Sequence, residues 1–220
     1  MSKPESHYGR YVGLLGILIV VLITINTALT KPNGATGIAP GKPLAPFAVP
    51  LVVGSLQGEA NIATHVNQGS AGSVPACTVR KAGALNICEL YKDAPVVLAL
   101  FVDEGSCAGI LSDMQTLTAQ FPQVRFAAVS IKGDRSQLRR LVRSRRLTFP
   151  VGIDKDGALV ILYKVASCPQ ISFAYPGGTV QSKALLRRPS LSALRARVSE
   201  LVAASLAHGW RGASQAVSHG

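Results

Sequence analysis

The chain has 220 residues, 48% of them hydrophobic, and a formal net charge of +12 at pH 7. This length and composition favour one well-buried domain over two. The positive charge would attract anionic surfaces, but the basic segments lack clustered aromatic side chains, which argues against a nucleic-acid partner.

The first predicted element is a membrane-spanning helix at residues 11–30. No charged residue lies between Arg10 and Lys31, and the segment is long enough to cross a hydrocarbon layer of about 30 Å as a helix. A cleaved signal peptide is the alternative, but NTALTK matches an A-x-A-like cleavage site poorly and no lipobox cysteine is present. We therefore predict a retained single-pass anchor, with residues 1–10 in the cytoplasm.

The side of the membrane on which the domain lies is predicted from the cysteines. The basic residues that flank the anchor are nearly balanced, so they do not decide its orientation. The four cysteines form an even set with no CxxC motif and no histidine at ligand-like spacing, which indicates disulfides rather than a zinc site. Because disulfides persist outside the cytosol, we predict an extracytoplasmic domain at the cell membrane, and no metal or other cofactor is indicated.

A flexible linker is predicted at residues 31–43, which are dense in Pro and Gly and lack apolar periodicity. The folded domain is predicted at residues 44–207. It begins with strand-like segments at 47–53 and 61–66, and a polar surface insertion follows at 67–88.

From Pro95 onward, predicted strands alternate with predicted helices. In chain order these are a strand at 96–102, a helix at 107–121, a strand at 124–131, a helix at 135–146, a strand at 149–154, a short helix at 156–163, a hairpin within 171–184 and a final helix at 190–206. Apolar strands interleaved with helices are typical of a sheet covered on both faces. Residues 208–220 carry no pattern and are predicted to be a disordered tail.

This order of elements resembles the thioredoxin superfamily, and in particular its membrane-anchored TlpA/ResA-like branch, which overlaps with the AhpC/TSA-related redoxins. The matching segments are GKPLAPFAVP, VVLALFVDEGSC, FPVGID, LYKVASCPQISFAYPGGTV and the C-terminal helix. The resemblance implies an α/β thioredoxin-like fold, in which helices flank a central mixed sheet.

The resemblance also identifies a candidate redox site. In that family a WCxxC motif stands where Ser106 to Ile110 stand here, so the aromatic residue and the second cysteine are missing. Pro169 corresponds to the family's cis-proline, and the residue before it, Cys168, would face Cys107. The hypothesis is a thiol-disulfide oxidoreductase with Cys107 as nucleophile and Cys168 as resolving sulfur, acting on exported protein thiols or a membrane-side redox partner.

The local sequence gives this hypothesis mixed support. A cysteine in the first turn of a helix has its thiolate stabilised by free N–H groups and the helix dipole, and Ser106 is a candidate N-cap. Asp103 and Glu104 would oppose the thiolate if they pointed toward the sulfur. One alternative is a scaffold or binding protein with structural disulfides. Another is a one-cysteine peroxidase, which Glu104 disfavours because related peroxidases have a hydroxyl residue there.

Two further features are open to more than one interpretation. Cys77 and Cys88 are close in sequence, and their nearness favours a structural disulfide within the insertion. In the basic helix, Arg135, Arg139 and Arg143 are predicted to share one side at i, i+4 spacing. They would form either a solvated face or a surface that docks on anionic lipid head groups, to which the linker keeps the domain close.

Overall fold

The structure is a computed structural model that describes residues 8–29 and 36–212. The chain divides into two compact units, of which the second begins at Thr36. Parts of the predicted N-terminus, linker and tail fall on residues 1–7, 30–35 and 213–220, which lie outside the described residues.

The first unit contains helix α1, Tyr8–Leu29, whose side chains are described from Tyr11 to Thr24. In the part of the chain that is described, no helix combines the length and the apolar character needed to cross a membrane. The membrane span at residues 11–30 stays a prediction.

The second unit is an α/β domain. Its elements, in chain order, are β1 (Ala48–Pro50), β2 (Ala84–Asn86), α2 (Ile87–Tyr91), β3 (Val96–Phe101), α3 (Ile110–Gln120), β4 (Arg125–Ser130), α4 (Arg135–Ser144), β5 (Val151–Ile153), α5 (Ala158–Leu162), β6 (Gln170–Ala174) and α6 (Leu191–Ala207). Short 3-10 turns lie at Gly69–Ala71, Ala76–Thr78 and Cys107–Gly109.

The central sheet has four strands in the order β5-β4-β3-β6. The pairs β3–β4 and β4–β5 are parallel, and β6 runs antiparallel to β3, so the sheet is mixed as the resemblance implied. Strands β1 and β2 form a separate antiparallel pair.

Two hydrophobic cores lie on opposite faces of β3, because successive side chains of a strand point to opposite sides. Val97, Ala99 and Phe101 pack in one core with residues of α3, α4 and α6. Val96, Leu98 and Leu100 pack in the other core, which contains residues of β1, α2 and α5. This burial on both faces explains the continuous apolar sequence of β3.

The strand predicted at residues 61–66 does not form. Asn61 makes only an isolated bridge to Ala48. Its side chain accepts a hydrogen bond from the backbone of Ala63 at 3.0 Å and donates one to the carbonyl of Val74 at 3.0 Å. Local asparagine bonds of this kind compete with a strand ladder, and they turn the chain here.

The domain begins before residue 44, within the segment predicted to be a flexible linker. The backbone N–H of Gly37 donates to the carbonyl of Lys164 at 3.1 Å, and Pro43 bridges to Thr179. Gly37 has φ +82°, and a Cβ atom there would lie 2.9 Å from the Cβ of Ala184. Position 37 therefore requires glycine for close packing as well as for backbone conformation.

The first residues of the predicted disordered tail are packed on the domain. The Trp210 indole N–H donates to the carbonyl of Asp93 at 3.0 Å. The ring of His208 lies against Tyr175, with 4.8 Å between the ring centroids. Residues 208–212 thus extend the folded part beyond the predicted boundary.

Helix α4 ends in a Schellman motif that carries arginine where glycine is usual. The N–H of Arg146 bonds to the carbonyl of Arg143 and the N–H of Leu147 bonds to that of Val142, each at 3.1 Å. Arg146 is held at φ +51°, a left-handed conformation that costs most L-residues about 1–2 kcal/mol.

Arg146→Gly should therefore raise the free energy of unfolding by about 0.5–1 kcal/mol, measured by urea denaturation. Arg140→Gly in the interior of the same helix is the matched control, and it should lower stability by about 1 kcal/mol. If both variants lost stability, the left-handed backbone at Arg146 would not be a source of strain in the folded protein.

Candidate functional site

The candidate site lies where the C-terminal end of β3 meets the N-terminal end of β6. These strands are antiparallel neighbours, and Leu100 pairs with Gln170. The segment after β3 and the segment before β6 therefore meet at the same edge of the sheet. Cys107 follows β3 in a 3-10 turn, and Cys168 lies just before β6. A disulfide joins the two cysteines, with 5.4 Å between their Cα atoms.

The loop that carries Cys168 has the backbone that the resemblance implied. The peptide bond between Cys168 and Pro169 is cis, and Pro169 is buried. The hydroxyl of Ser167 donates to the carbonyl of Leu186, which ties this loop to the segment before α6.

The two cysteines differ in their exposure, but their sulfurs share one hydrogen-bond donor. The N–H of Val102 points at both, 3.4 Å from the Sγ of Cys107 and 3.2 Å from that of Cys168. Cys107 is only 6% exposed and belongs to the core, whereas Cys168 is partly buried at its edge.

Ile110 occupies the position of the second cysteine in a CxxC motif. Its side chain is 0% exposed and packs in the same core as Cys107. A sulfur reaches Cys107 from the loop across the sheet edge, at Cys168, rather than from the helix.

The predicted N-cap at Ser106 does not form. Ser106 has helical backbone angles, φ −76° and ψ −12°, and its side chain makes no capping hydrogen bond. A capping residue needs an extended backbone to bring its side-chain oxygen back to the N–H groups. The turn is closed instead by the N–H of Cys107, which donates to the carbonyl of Glu104 at 3.2 Å.

Two arginine side chains contact the turn at Cys107. The Arg145 guanidinium donates to the carbonyl of Ala108. Arg188 packs so closely on Gly109 that a Cβ there would lie 2.6 Å from Nη1. Sequence reasoning did not identify either arginine, because both are distant along the chain and neither belongs to a local motif.

Two acidic residues near the turn, Asp113 and Glu104, are paired with basic side chains. Asp113 accepts two hydrogen bonds from Arg188, at 2.7 and 3.0 Å, and this pairing raises the pKa of Arg188. The carboxylate of Glu104 lies 3.9 Å from the ammonium group of Lys132, and both side chains are exposed.

The second disulfide joins Cys77 and Cys88, also with 5.4 Å between Cα atoms. It links the 3-10 turn at Ala76–Thr78 to α2. Cys88 belongs to the core on the opposite face of the sheet from Cys107. The two disulfides therefore serve different layers of the domain.

Arg135, Arg139 and Arg143, for which the sequence left open a solvated face or a lipid-docking surface, have different surroundings. Arg135 donates to the carbonyls of Leu51, Val52 and Leu56, and Arg139 donates to those of Val52 and Gly54. Arg143 is exposed and lies at the rim of a shallow apolar groove of about 330 Å³.

Within the described ranges, no cluster of three or more His, Cys, Asp or Glu residues could hold a metal ion.

Asp154 is a buried carboxylate at the end of β5. One oxygen accepts the N–H of Leu159 at 2.9 Å, and the other has no hydrogen-bond partner among the residues described. Burial raises the pKa of Asp154 from 3.8 to about 6. The native state therefore holds a proton at pH values where the unfolded chain has released it.

As pH rises from about 4 to about 7, Asp154 should lower the free energy of unfolding by on the order of 1 kcal/mol. Asp154→Asn removes this titration and keeps an acceptor for Leu159. In urea unfolding, the variant's stability relative to the natural protein should therefore increase over that pH range. A difference that is independent of pH would contradict this assignment.

The chain was compared with known proteins by sequence and by structure. No family model matches the chain. This chain aligns with the curated thiol-disulfide oxidoreductase ResA from Oceanobacillus iheyensis at 32% identity over 77 residues. The alignment covers 34% of this chain and 40% of ResA. The match therefore spans less than half of that relative's length.

Solved structures match over more of the domain. A candidate thiol:disulfide interchange protein DsbE from Chlorobium tepidum has a TM-score of 0.56 at 17% identity, covering 77% of this chain and 99% of the other. The peroxidoxin BcpB from Mycobacterium tuberculosis has a TM-score of 0.55 at 14% identity, covering 76% and 97%.

The domain therefore has a thioredoxin-like α/β fold. More particularly, the fold is similar to those of the DsbE and BcpB structures alike, and its site holds a disulfide beside a cis-proline.

Proposed function

We propose that this protein is a thiol-disulfide oxidoreductase that uses Cys107 and Cys168 as a reversible disulfide in place of a CxxC pair. The observation that carries the proposal is the bond between a cysteine that opens a helix and the residue before the cis-proline. The name of the curated relative, a thiol-disulfide oxidoreductase, supports the same activity.

The chemistry is a two-electron exchange with a protein dithiol or disulfide. Oxidation of a client dithiol would open the Cys107–Cys168 bond, and reduction of a client disulfide would close it. Pro169 holds the backbone of Cys168 at the edge of the sheet and acts as a positioning residue. The Cys77–Cys88 disulfide stays closed as a structural link.

We also propose a location for this reaction. Residues 11–30 would anchor the protein as a single span, with the domain outside the cytoplasm, where disulfides persist. The clients would then be exported protein thiols or a membrane-side redox partner. Contact with anionic lipid would depend on Arg143, because Arg135 and Arg139 are bonded to backbone carbonyls.

Differential thiol labelling of the full chain tests the proposal. Limiting dithiothreitol should expose the thiols of Cys107 and Cys168 to iodoacetamide before those of Cys77 and Cys88, as read by mass spectrometry of peptides. The full chain should also catalyse the reduction of insulin by dithiothreitol.

Two double variants serve as the matched pair for the insulin assay. Cys107→Ser/Cys168→Ser should be inactive, and Cys77→Ser/Cys88→Ser should keep activity. Inactivity of the natural protein, together with a Cys107–Cys168 bond that resists reductant, would favour the alternative of a binding or scaffold protein. The buried Ile110 in place of the second CxxC cysteine is the observation behind that alternative.

A peroxidase role has less support. Glu104 takes the place of a hydroxyl residue and pairs with Lys132. Peroxidase chemistry would produce a sulfenic acid on reduced Cys107, which dimedone labelling after peroxide treatment would detect.

A further inference from the structure

We infer that the client forms its mixed disulfide with Cys168 and that Cys107 is the leaving and resolving sulfur. This order is the reverse of the one expected from the sequence. The inference rests on the proposed exchange activity, and it concerns which of the two sulfurs meets the client.

Access is the first argument. An attacking thiolate must reach one sulfur along the S–S axis, so the rate depends on which sulfur is open to approach. Cys107 is 6% exposed and packs in the core with Ile110 and Phe101. Cys168 lies at the edge of that core and is partly exposed, in a loop whose neighbour Ala166 is exposed.

Stabilisation of the leaving group is the second argument. A leaving thiolate at Cys107 would lie in the turn that opens α3, where the helix dipole favours negative charge. The Val102 N–H is within reach of both sulfurs and favours neither. Arg145, which donates to the carbonyl of Ala108, adds positive charge to the same turn, whereas the charge of Arg188 is balanced by its pairing with Asp113.

The two arguments lead to the same assignment. The sulfur that the client can reach is Cys168, and the sulfur whose thiolate the surroundings stabilise is Cys107. A thiolate that is stabilised leaves faster, so attack at Cys168 is favoured by both access and electrostatics.

The exchange balances as two steps. A client thiolate attacks the Sγ of Cys168, forming the client–Cys168 bond and releasing Cys107 as a thiolate. The second client thiolate then attacks the client sulfur of this mixed disulfide. It forms the client disulfide and releases Cys168 as a thiolate, so two electrons pass from the client dithiol to the protein pair. In the reverse direction the Cys168 thiolate attacks a client disulfide, and Cys107 resolves the intermediate.

Single-cysteine variants of the full chain test the assignment. Cys107→Ser leaves the Cys168 thiol, and Cys168→Ser leaves the Cys107 thiol. Dithiodipyridine should react at least ~10-fold faster with the first variant than with the second. In guanidinium chloride the two rates should converge, because the difference arises from the fold. A native Cys107 thiol that reacts as fast as the Cys168 thiol, or faster, would overturn the inference.

A second measurement uses the natural disulfide. Oxidised full chain is exposed briefly to reduced glutathione and quenched with acid, and peptide mapping locates the adduct. We expect glutathione on Cys168, and an adduct on Cys107 would contradict the assignment. The reactivity order of the single-cysteine variants can be read even if the natural disulfide proves inert. Failure of the proposed function is thereby distinguished from failure of this inference.

Discussion

Cys168→Ser is expected to lower the free energy of unfolding by about 4 kcal/mol, because it opens the Cys107–Cys168 disulfide. Cys107 and Cys168 are 61 residues apart in sequence, so their bond removes much of the chain entropy of the unfolded state. The same variant should lose thiol-disulfide exchange, because Cys107 would have no partner sulfur. Urea unfolding and the insulin assay measure the two effects.

The Cys77–Cys88 bond provides the comparison. Its cysteines are only 11 residues apart, and opening it by Cys77→Ser should cost about 3 kcal/mol in the chain-entropy model. Exchange should persist in that variant. If Cys77→Ser lowered stability more than Cys168→Ser, loop length would not be the main source of the stabilisation.

The double variant Arg135→Ala/Arg139→Ala is expected to lower the free energy of unfolding by about 3 kcal/mol or more. The two guanidiniums donate five hydrogen bonds to the carbonyls of residues 51, 52, 54 and 56. Removing them leaves partly buried carbonyls without donors, and hydrogen bonds from charged groups contribute more than neutral ones. Urea unfolding measures the loss, and limited proteolysis should detect opening of the segment at residues 51–56.

Arg140→Ala/Arg143→Ala is the matched control on the same helix. Both side chains are exposed, and Arg140 has one long contact, 3.4 Å, to Ser136. Stability should change by less than about 0.5 kcal/mol. If both double variants were equally destabilised, general loss of helix charge would explain the effect, and the carbonyl contacts would not.

The regular elements of the domain were predictable because their patterns are local. The apolar run of β3 indicated a strand buried on both faces, and the helix predicted at 135–146 forms as α4. The strand predicted at 61–66 was wrong because the side chain of Asn61 bonds to nearby backbone groups. Its short apolar run gave no sign of that competition.

The candidate site was predictable only in part. The pairing of Cys107 with Cys168 was suggested by a resemblance, since no local pattern joins residues 61 positions apart. The arginines that surround the turn reach it through tertiary contacts. Likewise, Arg135 and Arg139 fit a solvated face in the sequence, and only the return of the chain at residues 51–56 gives them partners.

The packing of Trp210 bears on how the redox state can be observed. Trp210 is the single tryptophan of the chain, and its indole bonds to Asp93, just before β3 begins. The Cys107–Cys168 disulfide lies near the other end of that six-residue strand, which spans roughly 17 Å. The intrinsic fluorescence of Trp210 should therefore report the docking of the C-terminal segment. Its intensity should change little when the Cys107–Cys168 disulfide opens. Redox titrations of this protein need a readout of mass or of thiol content.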